Sequence, residues 1–268
     1  MGLTRIISDL HLGHPGSRVG EVSGLRPLIE GCERVIFNGD TWEEQWSERR
    51  EESANKKGEL RELVSDFGVE GVFLAGNHDP GGEGGRFMKL GQGGGILVTH
   101  GDGIFPEASP FSREMSGRKG REVRELIAAE VEGDRTLEGR LERAAKISRI
   151  LKPRAFPKLP VPFNFLATTI WPPGRPLQII RAWVTLGEAG FKFLESFSPE
   201  SEVLVCGHFH RSGVWEKKGR LVLNTGGLVR GCAARMVELE GDFLRYRQVN
   251  EMDGVFYPGD VFRVWRVG

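Results

Sequence analysis

The first hundred residues repeat one pattern, in which a short apolar run ends in a tight polar or glycine-bearing turn. Four such runs are rich in Val, Ile, Leu and Phe and are apolar at successive positions: 5–7, 35–37, 72–74 and 96–98. Runs of this kind are typical of strands that are buried on both faces of a sheet. Helix-compatible stretches at 27–32 and 43–67 alternate with them, and this order of strand and helix predicts an α/β layered core.

The pattern changes over residues 105–199, where helical spacing predicts an insertion. One helix is predicted over 119–131, and Asp134 is expected to cap a second helix. A proline-rich connector at 153–176 leads into a third helix that begins at Pro176.

Strand-like runs return after the insertion, at 203–205, 221–223, 234–239 and 244–249. Their closely spaced turn residues predict antiparallel strands that complete a second sheet. We interpret the glycine-rich segment 80–95 as a mobile surface loop, because it fits neither a phosphate-binding loop nor a dinucleotide fingerprint.

Charge and composition narrow the class of protein. Lys+Arg and Asp+Glu are 37 each, and a net charge of zero gives no sign of a nucleic acid or anionic membrane partner. The three cysteines lack CxxC spacing, which indicates buried thiols and not a disulfide framework or a zinc cluster. The chain starts in an apolar run without a signal-peptide pattern, and its most apolar stretch, 161–171, is shorter than the roughly 20 residues that span a bilayer. We therefore expect a cytoplasmic protein without a transmembrane helix.

Polar residues suited to metal binding follow five of the predicted strands. They form short motifs in a fixed order: Asp9-Leu10-His11, Gly39-Asp40, Gly76-Asn77-His78-Asp79, His100 and Gly207-His208-Phe209-His210. Because strand ends meet at one edge of an α/β sheet, we expect these side chains to converge. A single Asp-x-His after a strand is more often a turn or a cap. The ordered set of imidazoles, carboxylates and one amide indicates a metal centre.

The ordered set resembles the calcineurin-like metallophosphoesterase family, whose motifs run Asp-x-His, Gly-Asp, Gly-Asn-His-Asp or Glu, His, and Gly-His-x-His. The likeness spans the chain from Asp9 to His210. It implies a four-layer α/β/β/α sandwich, with two sheets packed face to face and helices outside. We therefore expect a single domain over residues 1–268 that contains a helical cap insertion at 105–199.

The resemblance also implies two divalent or trivalent metal ions. It assigns seven ligands: Asp9, His11 and His210 to one ion, Asn77, His100 and His208 to the other, and Asp40 to both as a bridge. The charge of two such ions exceeds that of the two carboxylates, and the surplus favours a hydroxide and an anionic phosphate. Nitrogen and oxygen ligands without thiolate suit manganese, our first choice, and also iron or zinc.

His78 and Asp79 are the predicted catalytic pair. In the family the residue equivalent to His78 faces the leaving group, and Asp79 would then orient His78 and favour its protonated form. The alternative is that Asp79 only caps the loop before Pro80. His14 is a candidate residue of the substrate pocket, although the family pattern does not require it.

The resemblance implies hydrolysis of a phosphate ester or pyrophosphate bond by a hydroxide that two metals activate. The sequence Asp40-Thr41-Trp42-Glu43 lacks the Arg that protein phosphatases carry here. One alternative is a pyrophosphatase similar to the UDP-2,3-diacylglucosamine hydrolases of lipid A synthesis, since the insertion has the position of their cap. Those enzymes commonly have Arg where this chain has His78. A remote alternative is a non-catalytic scaffold of the same fold, against which the intact ligand set argues.

The insertion is expected to select the substrate. Arg118, Arg121 and Arg124 are candidate contacts for additional phosphates. Several aromatic residues could receive an acyl chain or lie on the inner face of the membrane: Phe156, Phe163, Phe165, Trp171 and Trp183. The alternative is a solvated helix of mixed charge followed by core aromatics. We expect a phosphorylated small molecule or a glycolipid-like substrate, and no nucleic acid, because no basic stripe is present.

Overall fold

The computed structural model describes residues 2–45, 49–115, 117–129, 135–151 and 174–267. The chain forms two compact units. The sheet unit consists of residues 1–101 and 198–268, and the helical unit consists of residues 102–197. Asp134 and the aromatic residues predicted between 153 and 173 lie outside the described residues, as does most of the proline-rich connector.

The sheet unit is built from two mixed sheets. Its strands are β1 Thr4–Ile7, β2 Arg34–Asn38, β3 Glu70–Leu74, β4 Phe87–Leu90, β5 Ile96–Thr99, β6 Val203–Cys206, β7 Gly213–Lys217, β8 Arg220–Asn224, β9 Arg235–Glu240, β10 Phe243–Met252 and β11 Val255–Arg266. One sheet has the order β11-β10-β9-β1-β2-β3, and the other has the order β4-β5-β6-β8-β7. Strands β1, β2 and β3 are parallel, and so are β5, β6 and β8.

Successive residues of the central strands face two different cores. Ile36 of β2 packs between the two sheets, whereas its neighbours Val35 and Phe37 pack on the opposite face of their sheet. That face is covered by helices α1 (Arg26–Ile29) and α2 (Arg50–Asp66), which contribute buried leucines. Burial on both faces explains why these strands are apolar at successive positions. The predicted α/β fold with two sheets is confirmed, and both sheets contain parallel and antiparallel pairs.

The arrangement of the later strands corrects the sequence-based prediction. Strands β6 and β8 are parallel, and β9 joins β1 in the first sheet instead of completing the second. Local periodicity reports which residues are buried but not which sheet edge a strand joins. The segment 80–95, interpreted as a loop, contains β4, which pairs antiparallel with β5.

The helical unit contains three α-helices among its described residues: α3 Arg118–Ala128, α4 Leu137–Ile150 and α5 Arg175–Phe197. Val123 of α3 and Ile147 of α4 are fully buried in one small apolar core. Thr136 caps α4, since its Oγ1 accepts a hydrogen bond from the backbone N–H of Gly139 at 3.1 Å. None of the helices in the described residues is long and apolar enough to cross a membrane.

A buried ion cluster joins the first sheet to α1. Glu238 of β9 lies between two arginines, with Oε1 3.0 Å from Arg5 Nε and Oε2 2.9 Å from Arg247 Nη1. Arg5 also donates to the backbone carbonyl of Glu30 at 2.9 Å. Only 3% of the Glu238 side chain is exposed, so its charge depends on these partners and not on water.

We expect Glu238→Gln to destabilise the protein by about 3 kcal/mol, because removal of one partner leaves buried arginine charge uncompensated. Glu240→Gln is the matched control, since its pair with Arg245 is solvent-exposed and should contribute below about 1 kcal/mol. Urea unfolding followed by circular dichroism measures both changes. Equal, small losses in the two variants would show that the buried cluster does not stabilise the fold.

Candidate metal centre

The carboxyl ends of the parallel strands in both sheets meet at one edge. Asn38, the last residue of β2, is fully buried, and its Nδ2 donates to the backbone carbonyl of Thr99 at the end of β5 at 2.9 Å. The backbone N–H of His208, just after β6, donates to Asp9 Oδ1 at 3.1 Å, just after β1. These hydrogen bonds connect the ends of the two sheets, and the loops that carry the five motifs are therefore neighbours.

The backbone at this edge is conformationally unusual. Among the described residues, positive φ angles occur at five predicted ligands, Asp9, His11, Asp40, His208 and His210, with values between 49° and 67°. This left-handed region costs a non-glycine residue on the order of 1–3 kcal/mol, and such residues cluster at functional sites. Gly39 has a φ of 79°, and a Cβ there would lie 2.5 Å from the imidazole of His100. The Gly-Asp motif therefore requires glycine.

The structure brings the residues of the first predicted ligand group together. Asp9 Oδ1 lies 3.2 Å from His210 Nε2 and 3.9 Å from His11 Nε2. The two Nε2 atoms of these histidines lie 3.1 Å apart. Asp9 and His11 are buried, whereas the side chain of His210 is about one-third exposed. Three candidate ligand atoms thus surround one small volume.

The second predicted group surrounds His100, which is fully buried. Its Nε2 lies 3.1 Å from Asn77 Oδ1 and 3.2 Å from Asp40 Oδ2. The imidazole of His208 completes the group, with its ring centroid 5.1 Å from that of His100. A ligand atom from each of Asp40, His100 and His208 can be placed within 4.8 Å of the others.

Asp40 lies between the two groups. Its Oδ2 is 3.2 Å from His100 Nε2 in one group and 3.7 Å from His11 Nε2 in the other. Its Oδ1 is held by the backbone N–H of His78 at 2.7 Å. A single carboxylate oxygen therefore faces histidines of both groups, the position that a bridging ligand requires.

The imidazole nitrogens that face away from the ligand groups make hydrogen bonds, and these show whether the residues suit a cation. His100 Nδ1 lies 3.0 Å from the backbone carbonyl of Asn38, which can only accept, so Nδ1 carries the hydrogen. In the neutral ring, the lone pair of Nε2 then faces Asp40 Oδ2, which is also an acceptor. Such a contact is stable only with a proton or a metal ion between the atoms. The donor set therefore fits a metal that binds imidazole and carboxylate.

Glu43 is a site residue that the sequence-based prediction missed. It is 1% exposed, and its two oxygens each lie 2.7 Å from a histidine, Oε1 from His11 Nδ1 and Oε2 from His78 Nδ1. Nδ1 of His11 must donate to this carboxylate, which leaves Nε2 for the first ligand group. Only its position three residues after Asp40 in the Gly-Asp motif could have indicated this role.

The predicted pairing of His78 with Asp79 is corrected by the structure. The carboxylate of Asp79 is fully buried and accepts hydrogen bonds from backbone N–H groups, including those of Asp40, Thr41 and Gly76 at 2.7–2.9 Å. Asp79 therefore connects the Gly-Asp motif to the Gly-Asn-His-Asp motif. This is the alternative role, in which Asp79 caps a loop. His78 is oriented by Glu43 instead.

The remaining candidates lie in both units. The ring centroid of His14 is 6.0 Å from that of His11, and its Nδ1 accepts the backbone N–H of Gly16 at 2.9 Å. Burial lowers the pKa of His14 to about 4, so its imidazole is neutral at physiological pH. Arg118, Arg121 and Arg124 lie on α3 of the helical unit with exposed side chains, and their contact with substrate stays a prediction.

Comparison with known proteins finds distant structural neighbours alone. No protein-family model and no curated protein matches the sequence. A predicted phosphoesterase from Streptococcus pneumoniae is 14% identical, with 99% of this chain and 97% of that one covered and a TM-score of 0.42. A dimetal phosphatase from Danio rerio is 12% identical, with 92% of this chain and 95% of that one covered and a TM-score of 0.46. Vacuolar protein sorting 29 from Cryptosporidium parvum is 14% identical, with 99% of this chain and 98% of that one covered and a TM-score of 0.47.

Two of these three neighbours are named as a phosphoesterase or a phosphatase, and the five motifs resemble the calcineurin-like phosphoesterase family. TM-scores below 0.5 mark a distant likeness, and the roles of individual residues therefore rest on the geometry of this chain.

The charges of the ligand groups predict that metal binding releases protons. Burial lowers the pKa of His210, but its hydrogen bond to Asp9 outweighs this effect and raises the pKa to about 10. In the metal-free protein this imidazole is therefore protonated at pH 7.5, and it must lose its proton to bind a cation. We expect Mn²⁺ affinity to fall as pH is lowered from 8 to 6. Calorimetric titration in buffers of different ionisation enthalpy measures the released protons, and an enthalpy independent of buffer would contradict this assignment.

Proposed function

We propose that the protein is a metal-dependent hydrolase of phosphate esters or pyrophosphates with a dinuclear centre. The observation that carries this proposal is the convergence of two ligand groups on a shared carboxylate oxygen, Asp40 Oδ2. Two bound cations would supply Lewis-acid activation of a water molecule and neutralise charge on the phosphate. Manganese is our first choice of metal, with iron or zinc as alternatives, because the donors are nitrogen and oxygen atoms.

His78 is the residue we assign to protonation of the leaving group. Burial opposes its charge, but the carboxylates of Glu43 and Asp40 outweigh burial and raise the pKa of His78 to about 9. The imidazole is then protonated at neutral pH. Its Nδ1 is occupied by Glu43, which leaves the Nε2–H for a departing oxygen. The side chain is 21% exposed, whereas that of Glu43 is 1% exposed, so His78 is accessible to a substrate.

A substrate screen tests this proposal directly. Purified protein would be assayed with phosphate monoesters, diesters and pyrophosphates, each with added Mn²⁺ and with a chelator. We expect turnover in at least one class that requires the metal. Metal binding without turnover in any class would favour the non-catalytic scaffold, and chelator-resistant turnover would contradict the metal assignment.

A glycolipid-like substrate is a second candidate, favoured by an exposed apolar stripe on α5. Leu177, Ile180 and Val184 are spaced by three and four residues, so they share one helix face, and each is more than half exposed. Isolated exposed leucines are ordinary, but a continuous stripe suits contact with a lipid surface.

Vesicle co-sedimentation tests this second candidate. We expect the protein to sediment with phospholipid vesicles and the triple variant Leu177→Ser, Ile180→Ser, Val184→Ser to remain in the supernatant. Leu221→Ala, a change in a buried strand residue, controls for general destabilisation. Absence of sedimentation by the unaltered protein would leave a water-soluble phosphate compound as the substrate.

A further inference from the structure

The carboxylate of Asp9 is held asymmetrically. Its Oδ1 lies 3.2 Å from His210 Nε2, in the first ligand group. Its Oδ2 accepts a hydrogen bond from the hydroxyl of Ser8, and the backbone N–H of His208 is shared between Oδ1 at 3.1 Å and Oδ2 at 3.0 Å. The hydroxyl of Ser8 is therefore the donor that distinguishes the two oxygens, since it contacts Oδ2 while Oδ1 faces the ligand group.

The hydroxyl of Ser8 is itself held from the second sheet. Its Oγ lies 2.6 Å from Thr225 Oγ1. Because the hydrogen of Ser8 goes to Asp9 Oδ2, the hydroxyl of Thr225 donates to Ser8 Oγ. Ser8 and Thr225 are at most 3% exposed. Neither hydroxyl can turn to water, so the hydrogen bonds from Thr225 to Ser8 and from Ser8 to Asp9 fix the carboxylate.

Only glycine fits at position 207, next to the hydrogen bond between Ser8 and Asp9. A Cβ at Gly207 would lie 2.2 Å from both Ser8 Oγ and Asp9 Oδ2, too close for any residue except glycine. The glycine of the Gly-His motif thus leaves the space in which the hydroxyl of Ser8 reaches Asp9.

We propose that Ser8 and Thr225 are positioning residues that restrict Asp9 to one metal-facing oxygen, Oδ1. This inference rests on the proposed dinuclear centre. Donation to Oδ2 prevents the carboxylate from binding a cation through both oxygens, and it fixes the direction of Oδ1 toward His11 and His210. The two cation positions are then unequal, because the group around His100 does not depend on these hydroxyls.

The expected effect is selective. Loss of a hydrogen-bond partner of a metal ligand typically lowers metal affinity by about 10–100-fold. In Ser8→Ala and in Thr225→Val, we expect the affinity of one of two Mn²⁺ ions to fall by about this factor while the other is unchanged. Thr225→Ser retains the hydroxyl and should keep the original affinity.

Calorimetric titration of the metal-free protein with Mn²⁺ measures both affinities, and the visible spectrum of the Co²⁺-loaded protein reports the coordination of Asp9. Ser201→Ala is the matched control, because this buried hydroxyl bonds to the backbone carbonyl of Gly94 at 2.8 Å and contacts no ligand. It should change stability but neither affinity nor spectrum. If Ser8→Ala does not fold, the pair Thr225→Val and Thr225→Ser decides the question.

Unchanged affinities and Co²⁺ spectra in the variants would overturn the positioning role, as would an equal loss at both ions, which indicates general loosening. These outcomes require that the unaltered protein binds two ions. If it binds none, the dinuclear centre itself fails, and the two failures are therefore distinguishable.

Discussion

Asp40→Asn is expected to abolish most of the proposed phosphoesterase activity and to release at least one metal ion. Asp40 Oδ2 faces His100 in one ligand group and His11 in the other, and the neutral amide removes the charge shared by both. Changes to hydrogen-bond partners of ligands typically cost about 10–100-fold, and loss of the bridge should exceed the upper end of that range. Metal analysis by mass spectrometry and turnover of an aryl phosphate measure the two effects.

His11→Asn is the comparison for this result, because His11 belongs to one ligand group only. It should lose less activity than Asp40→Asn and retain the ion of the other group. An Asp40→Asn protein with two ions per chain and near-normal turnover would show that Asp40 does not bridge.

His78→Asn is expected to lose about 10²–10⁴-fold in turnover of substrates with poor leaving groups while it keeps its metal. An alkyl phosphate releases an alkoxide that needs a proton, whereas nitrophenolate departs without one. The loss should therefore be much smaller for nitrophenyl phosphate. Rates for the two esters, with the metal content of the same preparation, measure the effect.

Glu43→Gln separates orientation from proton donation. The amide keeps the size of Glu43 but loses the charge that holds the imidazolium of His78, whose Nδ1 lies 2.7 Å away. Because Glu43 also contacts Nδ1 of His11, the comparison is made at equal metal content, where we expect the same dependence on leaving group with a smaller loss. If His78→Asn instead releases metal, or slows both esters equally, His78 acts as a ligand or stabilises charge, and its role as a general acid is wrong.

The positions of the site residues along the chain could be predicted because the ends of the strands are visible in the local sequence. Each of β1, β2, β5 and β6 is a short apolar run, and the residues just after it are polar. Parallel strands of one sheet bring such ends to one edge, so Asp9 and Asp40 could be placed together without knowledge of the packing. His100 follows a strand of the other sheet, and its place beside them depends on how the two sheets pack.

Other features depend on contacts between distant segments and have no local signature. The sheet to which β9 belongs is decided by its pairing with β1, more than two hundred residues earlier in the chain. Glu43 and Asp79 are both acidic residues next to motifs, and the sequence favoured Asp79 as the partner of His78 because it is adjacent. The loop conformation instead places the carboxylate of Asp79 where it accepts hydrogen bonds from the backbone N–H groups of Asp40 and Gly76.

The central claim, that these residues form a dinuclear metal centre, is tested most directly by anomalous scattering from crystals grown with Mn²⁺. We predict two anomalous peaks roughly 3.5–4 Å apart, the separation typical of two-metal sites. One peak should lie beside Asp9, His11 and His210, the other beside Asn77, His100 and His208, and Asp40 Oδ2 should contact both. A map with no peak at this edge of the sheets, or with a single peak that Asp40 does not contact, would contradict the account.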